Sequence, residues 1–181
     1  LSDQLQGFYR STYSDDEGRT HTIATTQFES TDARRAFPCW DEPDLKAVFG
    51  VTLVTAHGLL AISNGPEIGR EDADGGRVRV RFADTMPMST YLVAFVVGSL
   101  DATEPVDVDG VPLRIVYRPG KADLTPFAAE VGAFCLRYFA DYYGIPYPDK
   151  KMDMVGLPDF AQGAMENLGC ITYRESLLLV D

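Results

Sequence analysis

A chain of 181 residues, 45% hydrophobic and 24% charged, is long enough to bury a real core and too apolar to be disordered. Its net charge of −11 argues against nucleic acid or an anionic membrane as the principal partner. No stretch approaches the roughly 18–20 apolar residues of a membrane span, and LSDQLQGFYRS at the start lacks the features of a signal peptide.

The first two-thirds of the chain reads as strands. GFYRSTY (7–13) and THTIATTQF (20–28) flank SDDEGR, a plausible hairpin turn. STDARRAFPCWDEPD (30–44) carries two prolines and is expected to be a structured loop with one short helical turn. Asp41 and Glu42 read as loop scaffold there, and Cys39 and Trp40 as packing residues. Further strands are expected at 46–56, 59–65, 77–82, 91–98 and 112–117. RVRVRF (77–82) alternates, with Val78, Val80 and Phe82 inward and Arg77, Arg79 and Arg81 in solvent. YLVAFVVG (91–98) is apolar on both faces and should be a central, covered strand.

The pattern changes at Arg118-Pro119-Gly120. From Leu124 to Tyr143 apolar residues recur at helical spacing, with Asp123 as the expected N-cap and Gly144 with Pro146 as the stop. The aromatic set Tyr138, Phe139, Tyr142, Tyr143 and Tyr147 reads as core. Strands follow at 151–157 and 168–174. A domain boundary is expected at about 119–122, giving units 1–119 and 120–181. ESLLLVD closes the chain without a stop signal, so the second unit reads as cut short.

Cys39, Cys135 and Cys170 form no C-x-x-C, and free buried thiols in a reducing, cytoplasmic setting are expected. His21 and His57 stand alone, so no metal site built wholly from this chain is expected.

Two blocks carry more information. GAMEN (163–167) runs straight into an ITYRE strand, and TQFESTDARRAFPCWDEPDLKAVFGVTL occupies 26–53. Together with YFADYYGIPYPDKKMDMVGLPDF before the first block, they resemble the zinc aminopeptidases of the aminopeptidase N type, gluzincins with a GAMEN motif. The resemblance implies a mainly β, saddle- or sandwich-like N-terminal domain. The truncated α+β start of a thermolysin-like catalytic domain would follow it. It also implies that the H-E-x-x-H zinc motif lies downstream of Asp181, leaving no catalytic residue and no metal ligand in these residues.

What the resemblance assigns here is recognition of peptides with a free N-terminal amine. That amine has a reference pKa of about 7.7–8.0 and is largely cationic near neutral pH, so a fixed carboxylate can select it by charge-assisted hydrogen bonds. Glu166 takes that role by resemblance, Glu29 the second amine-binding position, and Gln27 stands beside it. Gly163 and Ala164 would let a substrate backbone approach a strand edge, and Asn167 would brace the turn. Met165 reads equally as pocket lining or core. Leu168 departs from the aromatic residue usual after GAMEN and leaves side-chain preference open. Two other readings remain: a peptide-binding or scaffold protein without a metal site, and an epoxide hydrolase with aminopeptidase activity, which would usually carry Gln where Glu29 stands.

Overall fold

A computed structural model describes residues 1–180. β1 (Gly7–Ser14) and β2 (Thr20–Gln27) form the expected hairpin, paired through eight residues from Gly7↔Gln27 to Ser14↔Thr20. The Asp15 carboxylate closes the turn by accepting from the backbone N–H of Glu17 (3.0 Å) and Arg19 (2.8 Å). In 30–44 the expected helical turn is a 3₁₀ turn at Ala33–Arg35. Of the expected strand 46–56 only β3 (Thr52–Ala56) forms. Upstream, the Phe49 N–H bonds to Thr85 Oγ1 (3.0 Å) while its carbonyl accepts from Thr85 N (3.1 Å), so a side chain takes one of the two ladder bonds.

β4 (Leu60–Ser63), β5 (Glu67–Ala73) and β6 (Arg77–Phe82) follow. β5 escaped the sequence reading because EIGREDA is largely exposed and shows no apolar alternation. It is an edge strand of a three-stranded sheet ordered β3-β6-β5. β6 alternates as its sequence dictates, exposing its arginines, and Arg79 pairs with Glu71 at 2.9 Å. β7 (Phe95–Gly98) is interior to a four-stranded sheet ordered β1-β2-β7-β4, while Thr90–Leu92 make a 3₁₀ turn instead of extending it.

The third sheet holds β8 (Asp101–Ala102), β9 (Val106–Val108), β10 (Val111–Tyr117), β11 (Met152–Leu157), β12 (Ala164–Met165) and β13 (Cys170–Arg174). Its main path runs β12-β13-β11-β10-β8, with β9 also on β10. β10, β11 and β13 are parallel neighbours, and the long connection that parallel pairing requires is α1 (Pro126–Tyr143) between β10 and β11. The expected division at 119–120 thus falls between two strands of one sheet. A short α2 (Glu175–Leu178) follows β13.

Four layers result. Ala61 and Val97 on one face of the four-stranded sheet pack against Val78, Val80 and Phe82 of the three-stranded sheet. On its other face, Tyr9, Ile23, Ile62 and Val96 meet Val116, Val155, Leu157 and Cys170 of the third sheet. The far face of the third sheet, with Leu113, Ile115, Met152 and Met154, packs on α1.

Several expectations are corrected. Asp123 lies in a 3₁₀ turn, Ala122–Leu124, and Thr125 precedes Pro126 at the helix start, where proline's missing N–H is harmless. Gly144 ends the helix at φ 65°, as expected. The helix buries only Ala128, Gly132 and Ala133, whereas Tyr138, Phe139, Tyr142 and Tyr143 are exposed. Close approach is confined to one point: a Cβ on Gly132 would stand 2.8 Å from Met154 Sδ, so no side chain fits there, while Leu136 packs on the same cluster further along. Tyr147 alone of the aromatic set packs into the core. An apolar groove of about 620 Å³ opens between α1 and the sheet, lined by Phe127, Val131, Phe139, Ile145, Tyr173 and Leu177. Trp40 is 80% exposed, and Cys39 and Cys135 are half-buried, leaving Cys170 as the one buried thiol. Asp41 is buried and accepts from Thr90 Oγ1 (2.8 Å) and Arg34 N (3.0 Å). Among the described residues, no helix is long and apolar enough to cross a membrane.

Candidate functional site

β12 is the outer strand of the third sheet. Ala164 pairs with Tyr173 and Met165 with Thr172, and Gly163 O accepts from Arg174 N at 2.9 Å. No strand pairs with its other edge among the described residues. Strand alternation exposes Ala164 and Glu166 and buries Met165 and Asn167. Met165 is 1% exposed within the inter-sheet core, which leaves its side chain no surface with which to line a pocket. Asn167 Nδ2 donates to Cys170 O (3.2 Å) and Thr172 Oγ1 (3.4 Å), holding the turn out of β12. Gly163 is small partly for an internal reason: a Cβ there would press on Leu177 at 3.3 Å.

The other candidates lie where β2 ends. Gln27 shares its strand face with Ile23, toward the third sheet, and is 1% exposed. Neither polar atom of its side chain has a hydrogen-bond partner among the described residues, which is unusual for a buried amide. Glu29 is exposed, and a cis peptide bond joins it to Ser30.

The two segments meet through their neighbours. Phe28, between Gln27 and Glu29, and Leu168, two residues after Glu166, pack in one apolar cluster with Ala33, Met88 and Val93. Asn64 bridges from the first sheet to the same place, donating from Nδ2 to Leu168 O (2.7 Å) and to Leu92 O (2.8 Å). Ahead of the motif, Asp159 is held by β1: Thr12 N donates to its Oδ2 (2.8 Å), and its N–H donates to Ser11 Oγ (3.0 Å). Asn64 and Asp159 escaped the sequence reading because their partners lie 104 and 147 residues away, and a single sequence carries no sign of such pairings.

Behind the motif lies a charge row in which Asp153 and Lys151 are buried and Arg114 is partly exposed. Arg114, Asp153 and Cys170 are cross-strand neighbours on β10, β11 and β13. Asp153 accepts from Arg114 (2.8 and 3.0 Å) and from Lys151 Nζ (2.7 Å), and Lys151 also donates to Gly169 O at 2.5 Å. Burial pushes the Asp153 carboxyl up, but Lys151 and Arg114 together outweigh it and hold it below the usual carboxylate range.

Burial also pushes the Cys170 thiol up to about 12 and the Tyr147 phenol, which accepts from Gly169 N at 2.9 Å, up to about 12. Both groups favour their neutral forms when folded. Their contribution to stability is therefore complete below the ordinary pKa values, about 8.5 and 10, and is lost as pH rises toward 12. Iodoacetamide at pH 8 is expected to spare Cys170 in the native chain and to modify it after unfolding in urea, as read by mass spectrometry. Native alkylation of Cys170 as fast as of exposed thiol would contradict its burial.

No group of three or more His, Cys, Asp or Glu side chains among the described residues is placed to hold a metal ion. His21 is bonded to Asp15 at 2.8 Å and stacked on Tyr13, and His57 stands 3.5 Å from Asp72. The described side chains do not fit a catalytic zinc.

A β-rich unit is joined to a βαβ-containing sheet, with an exposed acid just past an open edge strand, and sequence comparison identifies the family. Residues 1–92 match the family description "Peptidase M1 N-terminal domain" and residues 127–181 match "Peptidase family M1 domain". The chain belongs to the M1 peptidase family. Over its whole length it is 50% identical to aminopeptidase M1 of Arabidopsis thaliana, of which it covers 20%. It is 46% identical to the puromycin-sensitive aminopeptidase of Caenorhabditis elegans and 48% to the alanine/arginine aminopeptidase of Saccharomyces cerevisiae, covering 19% and 21% of them. The chain thus spans about a fifth of the length of the curated relatives it matches.

Proposed function

We propose that these residues form the amine-recognition part of a zinc-dependent aminopeptidase that removes N-terminal residues from peptides. The supporting observation is Glu166, exposed beside the open edge of β12, on a segment tied to the sheet that ends in Gln27 and Glu29. On this reading a substrate backbone adds to β12, and Glu166 and Glu29 receive its ammonium group. Gln27, buried with its amide unpartnered, stands behind them. Strand addition fixes the direction of the peptide, and the carboxylates fix how far it enters.

The relatives bear aminopeptidase names, which supports the same reaction class for a longer polypeptide containing these residues. The zinc would be held by residues outside those described. In a polypeptide of the relatives' length, an alanyl-anilide should be hydrolysed at least about a hundredfold faster than its N-acetylated counterpart. Equal rates for the two would remove amine recognition from this site.

A further inference from the structure

We propose that Asn64 is a positioning residue that sets where the segment bearing Glu166 sits against the end of β2, where Gln27 and Glu29 lie. The inference rests on the amine-binding reading above and adds the part that fixes the spacing between its two acids.

Asn64 is fully buried just past the end of β4. Its Oδ1 accepts from Ala94 N (2.9 Å), and its Nδ2 donates to Leu92 O (2.8 Å) and Leu168 O (2.7 Å). Two of these bonds hold the run that leads into β7, and the third holds the peptide two residues beyond Glu166. β7 in turn pairs with β2 at Ala24↔Val97 and Thr25↔Val96, just before Gln27. The hydrogen-bonded path between the two segments therefore runs through strand pairing and one amide side chain, beside the apolar contact of Phe28 and Leu168.

The receiving end is equally restrained. Gly169 has φ 72°, and a Cβ on it would collide with the Asn64 carbonyl oxygen, so the two backbones touch. Its N–H donates to Tyr147 Oη and its carbonyl accepts from Lys151 Nζ. Apolar packing alone, as between Phe28 and Leu168, tolerates small slips, whereas a buried hydrogen bond weakens steeply with distance and angle. An amide is needed because it presents an acceptor to Ala94 and donors to two carbonyls at once.

The test uses a polypeptide of the relatives' length, with leucinamide and its des-amino analogue 4-methylpentanamide as competing ligands. N64D keeps the volume and the acceptor but turns a carboxylate toward two carbonyls. Leucinamide affinity should fall roughly tenfold or more, with KM for an anilide substrate rising more than kcat falls and 4-methylpentanamide affinity unchanged. In an E166Q background N64D should change leucinamide affinity by less than about twofold, because the acid it positions is gone. Y147F, which removes only the acceptor for Gly169 N, should give a smaller loss in the same direction and serves if N64D does not fold. V80A, in the three-stranded sheet, should lower Tm without changing the ratio of the two affinities. Equal weakening of both ligands by N64D, or wild-type leucinamide affinity in N64D and Y147F while E166Q weakens it, overturns the positioning role alone. Wild-type leucinamide affinity in E166Q removes the amine-binding reading, and this proposal with it.

Discussion

Replacing Glu166 by Gln, in a polypeptide of the relatives' length, is expected to lower kcat/KM for an aminoacyl-anilide roughly 10- to 150-fold. That corresponds to the about 1.5–3 kcal/mol of a hydrogen bond to a charged group. Gln keeps the size of the side chain and one acceptor oxygen, so the loss isolates the charge. Glu166 is exposed, and its side chain takes no part in the hydrogen bonds that hold the motif. Folding should therefore be unaffected, with Tm within the small range expected of surface substitutions. The N-acetylated substrate, which carries no cation, should be turned over equally slowly by both proteins. A kcat/KM within twofold of wild type for the free-amine substrate would sink the assignment of Glu166.

The largest stability effect should come from Asp153→Ala. Asp153 is completely buried and is the carboxylate bonded to both Arg114 and Lys151, whose side chain is itself only 8% exposed. Removing it leaves a buried ammonium without its counter-ion, which typically destabilises by about 3–5 kcal/mol. The measurement is the urea midpoint, with an unchanged m-value as the sign that the native state stays compact. The same group gives a pH signature. Its folded pKa is depressed, so its stabilisation is present above the ordinary value of about 3.9 and is lost as pH falls toward the folded value. The wild-type chain should therefore lose stability below about pH 4 more steeply than Asp153→Asn. Parallel acid profiles for the two would show that Asp153 is not held in its charged form by this pair.

The strands most legible in the sequence were those with clean alternation or long apolar runs. β6 appears where Val78, Val80 and Phe82 alternate with arginines, and β11 where MDMVGL is buried on both faces. β5 and β8 were not legible, because edge and very short strands take their conformation from a neighbour and leave no period in the sequence. The aromatic residues of α1 show the opposite failure. Their helical spacing was real, but which residues are buried depends on where the sheet meets the helix: it touches at Gly132 and leaves a groove beside Phe139 and Tyr143. Met165 could be read two ways from the sequence, and the alternation of β12 placed its side chain in the core.

By itself the sequence determined the strand-rich first part, the long helix, the GAMEN and TQFES blocks and, through them, the family. These rest on local chemistry: period, caps, turn residues and short motifs, each legible within a few residues. Only the tertiary structure decided that the GAMEN segment is anchored on both sides, to β1 through Asp159 and to the lead-in of β7 through Asn64. It also decided that Arg114 and Lys151 converge on the buried Asp153 behind it. The physical reason is sequence separation. A hydrogen bond between residues 104 positions apart exists only once the two sheets have packed, and nothing local to Asn64 or Leu168 announces the partner.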